Sequence, residues 1–159
     1  MRIIFRTKAA GAAFVHPLDP APKTAILTSG FRESRNVRVF PEGWTEHAAR
    51  FSPTAIAGPI EQLRRVARRG VALQHAVIAL TYRSGPALSD IDREFLWRAF
   101  GVPVFEQFLG ANNELLATEC EAHQGLHIFG EWNAGPLDTS MCACGSKTPR
   151  LSSLVAQVA

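Results

Sequence analysis

The sequence predicts an α/β domain: a small, partly parallel sheet with flanking helices, followed by a β-hairpin that gathers cysteine and histidine. Three observations carry this reading. Residues 60–105 alternate helix, strand, helix and strand with short connections, the succession that builds a parallel layer. The run Ala76-Val77-Ile78-Ala79-Leu80 is apolar throughout, as suits a strand covered on both faces. From Leu115 onward the pattern changes to strand–turn–strand.

Taken in order, residues 3–7 are expected to form a short strand, and 9–24, rich in Ala, Pro and Gly, a loop. A buried strand is expected over 24–28, stopped by Ser29-Gly30. Residues 31–53 mix charges with isolated aromatics and show no period, so 1–58 stays a poorly defined amino-terminal segment of one 1–159 domain, ahead of an organised region at 59–151. Ile60, Leu63, Val66 and Ala67 recur at helical spacing, with Arg64, Arg65, Arg68 and Arg69 on the outer side, until Gly70 ends the pattern. After the apolar strand, Ser84-Gly85-Pro86 breaks the chain. Ser89 then suits an N-cap, because its hydroxyl can accept from the orphan amides of the next turn, and Asp90 and Asp92 suit the positive end of the dipole. This second helix, 90–100, is expected to bury Ile91, Phe95, Leu96 and Ala99, with Trp97 in the core or at an interface. A further strand begins at 102–105, and strands over 115–121 and 126–129 flank a turn at Gln124-Gly125. Trp44 and Trp132 fall in irregular segments, where they are expected to cover a core or meet a partner. His75 is expected to be a satisfied structural histidine.

Composition narrows the function. A net charge of +3 is far from the dense basic stripe that nucleic acid requires, so nucleic acid is not an expected partner and the arginine cluster reads as a solvated helix face. No stretch approaches the roughly 18 consecutive apolar residues of a membrane span. The amino-terminal apolar run, Ile3-Ile4-Phe5, is too short for a secretory signal, and a cytoplasmic setting with reduced thiols is expected. Three cysteines, an odd number, leave metal binding or a free thiol rather than a disulfide framework.

All three lie within 119–145, together with two of the five histidines. A hairpin brings Cys120 near His127, and Cys142-Ala143-Cys144-Gly145 supplies a tight turn whose glycine permits positive φ. Three thiolates and one imidazole make a closed tetrahedral set, and soft thiolates favour zinc or iron–sulfur over hard cations. His123 competes with His127 for the fourth position, and His127 is preferred because His123 sits beside the turn. The plainer alternative is that the cysteines are small buried hydrophobes. A closed set holds no water, so the metal would be structural, and Glu119 and Glu121 are the carboxylates to consider as bases if one ligand were water.

The runs "SGPALSDIDREFLWRAFGVPVFEQF", "LLATECEAHQGLHI" and "CACGSKTPRL" resemble the carboxyl-terminal part of the large domain in phenylacetate–CoA ligase-like enzymes of the adenylate-forming superfamily. The likeness covers about residues 76 to 151. It implies zinc held by Cys120, His127, Cys142 and Cys144. Departures are equally plain. No complete phosphate loop is present, Thr28-Ser29-Gly30 being only a fragment. The family's Tyr-Gly-x-Thr-Glu motif is replaced by "FLGANNE", in which Gly110 and Glu114 stand where its Gly and Glu would, making Glu114 the one catalytic candidate. Only 14 residues separate His127 from Cys142, where the family inserts a long stretch ending in a ribose-binding aspartate, and the "TYRSG" at 81–85 is out of order for that motif. Ser146 replaces the arginine after Cys-x-Cys-Gly, and the family's lid domain is not among these residues. Adenylation needs phosphate placement, a magnesium carboxylate and a ribose clamp together.

The expected function is therefore a zinc-stabilised module that does not adenylate alone and binds a protein partner, a second copy of itself, or a small acyl or nucleotide ligand. The alternatives are a ligase-type enzyme completed by a second polypeptide, and a cysteine-based redox or metal-responsive protein.

Overall fold

The apolar runs lie side by side in the computed structural model, which describes residues 11–130 and 136–152. The strand expected at 3–7 and the position of Trp132 lie outside the described residues. In chain order the elements are β1 (Thr24–Ile26), β2 (Val37–Val39), α1 (Glu46–Phe51), β3 (Ala55–Pro59), α2 (Ile60–Arg68), β4 (Ala76–Tyr82), α3 (Asp90–Phe100), β5 (Val104–Leu109), β6 (Leu115–Glu119), β7 (Leu126–Ile128) and β8 (Arg150–Leu151). They form one sheet in the order β2-β1-β3-β4-β5-β6-β7-β8. Neighbours from β2 to β5 run parallel, and β5 to β8 antiparallel. The α/β architecture expected from the sequence is thus present, with an antiparallel extension grown on a parallel half.

The segment that showed no period, 31–53, supplies β2 and α1, and β3, most of which also falls within the poorly defined 1–58, sits centrally between β1 and β4. Its sequence, Ala55-Ile56-Ala57-Gly58-Pro59, offers little strand propensity of its own. Close packing is what places it. A Cβ at Gly58 would lie 3.1 Å from the Leu27 Cβ, so the missing side chain lets the neighbouring strand approach.

Both faces of the parallel half are covered. Leu63 and Val66 of α2 and Leu96 of α3 pack with Ile56 and Val77 on one side. On the other, Ile26, Ile78, Leu80 and Phe105 meet Phe14 and Leu18 from the segment ahead of β1. That segment takes the place a second helix layer would occupy. His16 anchors it: Nδ1 accepts from the Leu18 amide at 3.0 Å, leaving Nε2–H to donate to Thr24 Oγ1 at 2.9 Å. Burial holds the imidazole neutral and lowers its pKa to about 4. The unfolded chain therefore takes up this proton first as pH falls, so stability is full above about pH 6.5 and is lost progressively down to about 4. The shift sets an upper value of about 3 kcal/mol. Urea unfolding of wild type and His16→Gln between pH 7 and 4 should give a clearly flatter pH dependence in the variant; parallel curves would show that His16 is not the titrating group.

Helix α3 begins as expected, with the Asp92 amide donating to Ser89 Oγ at 3.1 Å, and Gly101 ends it at φ 66°. Its buried face differs from the expected stripe. Leu96 and Phe100 point inward, whereas Ile91 is 81% exposed and Phe95, Trp97 and Ala99 are also exposed. The inner positions are shared with charged residues that carry partners: Asp92 pairs with Arg64 of α2, and Arg93 pairs with Glu119 of β6. Arg64 is thus a tie between helices rather than a solvated charge. His75 lies exposed just ahead of β4, and Trp44 packs against the edge of the core.

Candidate metal centre

The hairpin that holds the first two candidate ligands is built by register. Thr118 pairs with His127 and Glu119 with Leu126, so Cys120 leaves β6 beside the turn and His127 projects from β7 on the face opposite Leu126. Gly125 allows this closure. Its φ is +94°, and a Cβ there would meet the Leu151 carbonyl oxygen at 2.4 Å. The second pair sits in a turn stitched by the Cys142 amide to the Ser146 carbonyl and the Gly145 amide to the Cys142 carbonyl. Gly145 has φ +90°, as the sequence requires, and the Ser146 amide faces Cys144 Sγ at 3.5 Å.

The fold brings these halves together. The donor atoms of Cys120, His127, Cys142 and Cys144 all lie within 4.8 Å of one another, a group that can hold a metal ion. Cys120 Sγ is 3.6 Å from Cys142 Sγ, and Cys144 Sγ is 3.5 Å from His127 Nε2. Metal–sulfur bonds of about 2.3 Å and metal–nitrogen bonds of about 2.0 Å imply tetrahedral edges of about 3.5–3.8 Å, so these separations suit such a centre. They do not suit a disulfide, whose sulfurs sit about 2.05 Å apart. His127 is 6% exposed, and its Nδ1 is buried without a hydrogen-bond partner among the described residues. Holding that ring in place costs desolvation, which a bond at Nε2 would offset.

Electrostatics prepares one thiol. The Cys144 backbone amide, together with the neighbouring thiols and His127, lowers the Cys142 pKa to about 6, while burial pushes Cys120 up to about 11. A cation entering the cluster meets one thiolate already formed and supplies the charge that deprotonates the others. Cys142 is buried, which suits a ligand better than an attacking nucleophile.

His123 is occupied elsewhere. Its Nδ1 lies 2.8 Å from Glu119 Oε2 and its ring rests on Phe105 at 4.7 Å, so the histidine in the cluster is His127. Glu119, considered as a base, is buried in the pairs with Arg93 and His123, and Glu121 is exposed. Glu114 folds back over its own turn, accepting from the Asn112 amide at 2.9 Å, and crowds Gly110 so closely that a Cβ there would meet its carboxylate at 2.0 Å.

Two residues that position the site were not singled out from sequence. Arg150 is buried and reaches the Gln124 carbonyl at 2.7 Å, Asp138 Oδ2 at 3.1 Å and Ser140 Oγ at 3.2 Å, tying the approach to Cys142 onto the hairpin. Gln124 Oε1 accepts from the Ala143 amide at 3.3 Å, between the two cysteines of the turn. Gln124 enters the sequence analysis only as a turn residue and Arg150 only within the run "CACGSKTPRL", because the partners of both side chains are supplied by folding. No family model matches this chain, and no curated protein matches it.

Proposed function

We propose that this chain is a zinc-stabilised module of the phenylacetate–CoA ligase-like kind, which does not adenylate acids by itself and serves to bind a partner or a small ligand. The observation that carries the reading is the closed donor set, three sulfurs and one nitrogen drawn from the β6–β7 hairpin and a separate turn. Zinc is the metal that this soft, four-donor chemistry favours, and with all four positions filled by protein it has no site for water or substrate. Cys120, His127, Cys142 and Cys144 hold the ion, and its contribution is to lock the antiparallel extension. The lack of adenylation is supported at the β5–β6 turn. Glu114, standing where a magnesium carboxylate would be, instead caps that turn, and Asn113 Nδ2 is bonded to the Ser29 carbonyl at 3.2 Å.

The deciding experiment is the metal content of the purified full chain, with cobalt(II) substitution to read the coordination. One zinc per chain, and a cobalt spectrum of tetrahedral thiolate type, are expected. A protein that comes off the column without metal and binds none on titration would refute the structural-zinc reading.

A further inference from the structure

Helix α3 covers β4 and β5 but stops short of the antiparallel strands, and a cleft of about 710 Å³ opens between it and β6–β7. That volume falls within the range typical of small-molecule sites. Apolar lining comes from both sides, with Trp97 of α3, Pro103, and Leu126 of β7. Trp97 is 58% exposed, an unusual position for so large an aromatic surface unless something else covers it.

Glu106 sits among the lining residues although it is only 4% exposed. Its Oε2 accepts from Thr81 Oγ1 at 2.9 Å and from the Leu88 amide at 3.1 Å. Oε1 has no hydrogen-bond partner among the described residues. Arg93, which lines the same cleft, is committed elsewhere: both of its terminal nitrogens are engaged by Glu119, and one of them also by the Val104 carbonyl. The remaining charges of the cleft are Asp90 and Glu94, and Glu94 is paired outward with Arg98. In a chain of net charge +3, this cleft is therefore acidic. Low-dielectric walls concentrate such a field, and an aromatic face adds attraction for a cation.

We propose that this cleft is a binding site for a small organic amine, its ammonium seated on the free oxygen of Glu106 and its apolar body against Trp97 and Leu126. The amine supplies the missing partner of a buried carboxyl, whose pKa burial otherwise raises. Glu106 itself is held from β4 and the segment ahead of α3, but Glu119, His123, Gly125 and Leu126 of the hairpin line the other side of the cleft, so the site rests on the hairpin being clipped as proposed above.

The test uses the metal-loaded full chain and three probes of similar shape: 2-phenylethylamine, 2-phenylethanol and phenylacetate, titrated by calorimetry and by the indole N–H signal of Trp97. The amine should bind saturably at millimolar concentration, and the alcohol and the acid about tenfold more weakly or not at all, each tenfold step being about 1.4 kcal/mol. Glu106→Gln keeps an acceptor for Thr81 and Leu88, so its fold should survive, and it should weaken the amine about tenfold while leaving the alcohol unchanged. Trp97→Ala, at an exposed position, should weaken the amine without altering unfolding. Equal binding of acid and amine, indifference of the amine to Glu106→Gln in a folded variant, or no saturation would overturn the proposal.

Discussion

Stripping the metal with a chelator, or replacing both turn cysteines (Cys142→Ser, Cys144→Ser), is expected to release β6, β7 and β8 while leaving the parallel half largely in place. The two large apolar clusters lie on β1–β5 and their covering segments. The third holds only Phe108, Ala117, Leu126, Ile128 and Leu151 as buried members. Structural zinc contributes roughly 10–16 kcal/mol of binding free energy in small sites, against a total stability of about 5–15 kcal/mol for an ordinary domain. So thin a cluster does not replace that. If even about 5 kcal/mol is lost, Tm should drop by about 10–20 °C for a chain of this size. Amide exchange is the sharper readout: protection at Thr118, Leu126 and Ile128 should collapse, while Ile78 and Val77 stay protected. The same release should follow acidification, since protons compete with the metal for the thiolates and for His127. Unchanged exchange at β6 and β7 after complete chelation would remove the clip from the account of this fold.

The sequence made the ligand cluster legible because metal chemistry is written in residue type and spacing, and a hairpin turn at Gln124-Gly125 suffices to bring Cys120 and His127 together. The helices over α2 and α3 and the strand β4 were legible for a similar reason, each being long enough to show its period. The rest rests on contacts between distant residues. β3 is an Ala-Gly-Pro strand that exists because Gly58 lets Leu27 approach, and no local pattern records that. The face of α3 departs from its apolar stripe because two of its inward positions are charged. Asp92 and Arg93 point inward since Arg64 and Glu119 await them, 28 and 26 residues away in the chain. Arg150 escaped notice likewise, because its partners are carbonyls and a carboxylate supplied by folding.

The inward pair on α3 gives the second large effect. Glu119 keeps only 6% of its side chain exposed and is met by both terminal nitrogens of Arg93, one of which also bonds the Val104 carbonyl. Arg93→Met preserves the length and helix propensity of the side chain but strands a buried carboxylate, a change that costs about 3–5 kcal/mol. His123 stays bonded to Glu119 and softens the loss without cancelling the charge. Glu119→Gln alone leaves the guanidinium one-third exposed, where water solvates it, so a smaller penalty is expected. The decisive comparison is the double variant Arg93→Met, Glu119→Gln, which removes both charges and should recover most of the stability lost in Arg93→Met. Chemical denaturation of the four proteins closes that cycle, and a coupling free energy near zero would mean that the pair merely coincides with, rather than secures, the junction between α3 and the hairpin. Because Cys120 follows Glu119 directly in the chain, the order of effects should also appear at the metal: Arg93→Met should release zinc to a chelator faster than wild type, and the double variant should slow that release again.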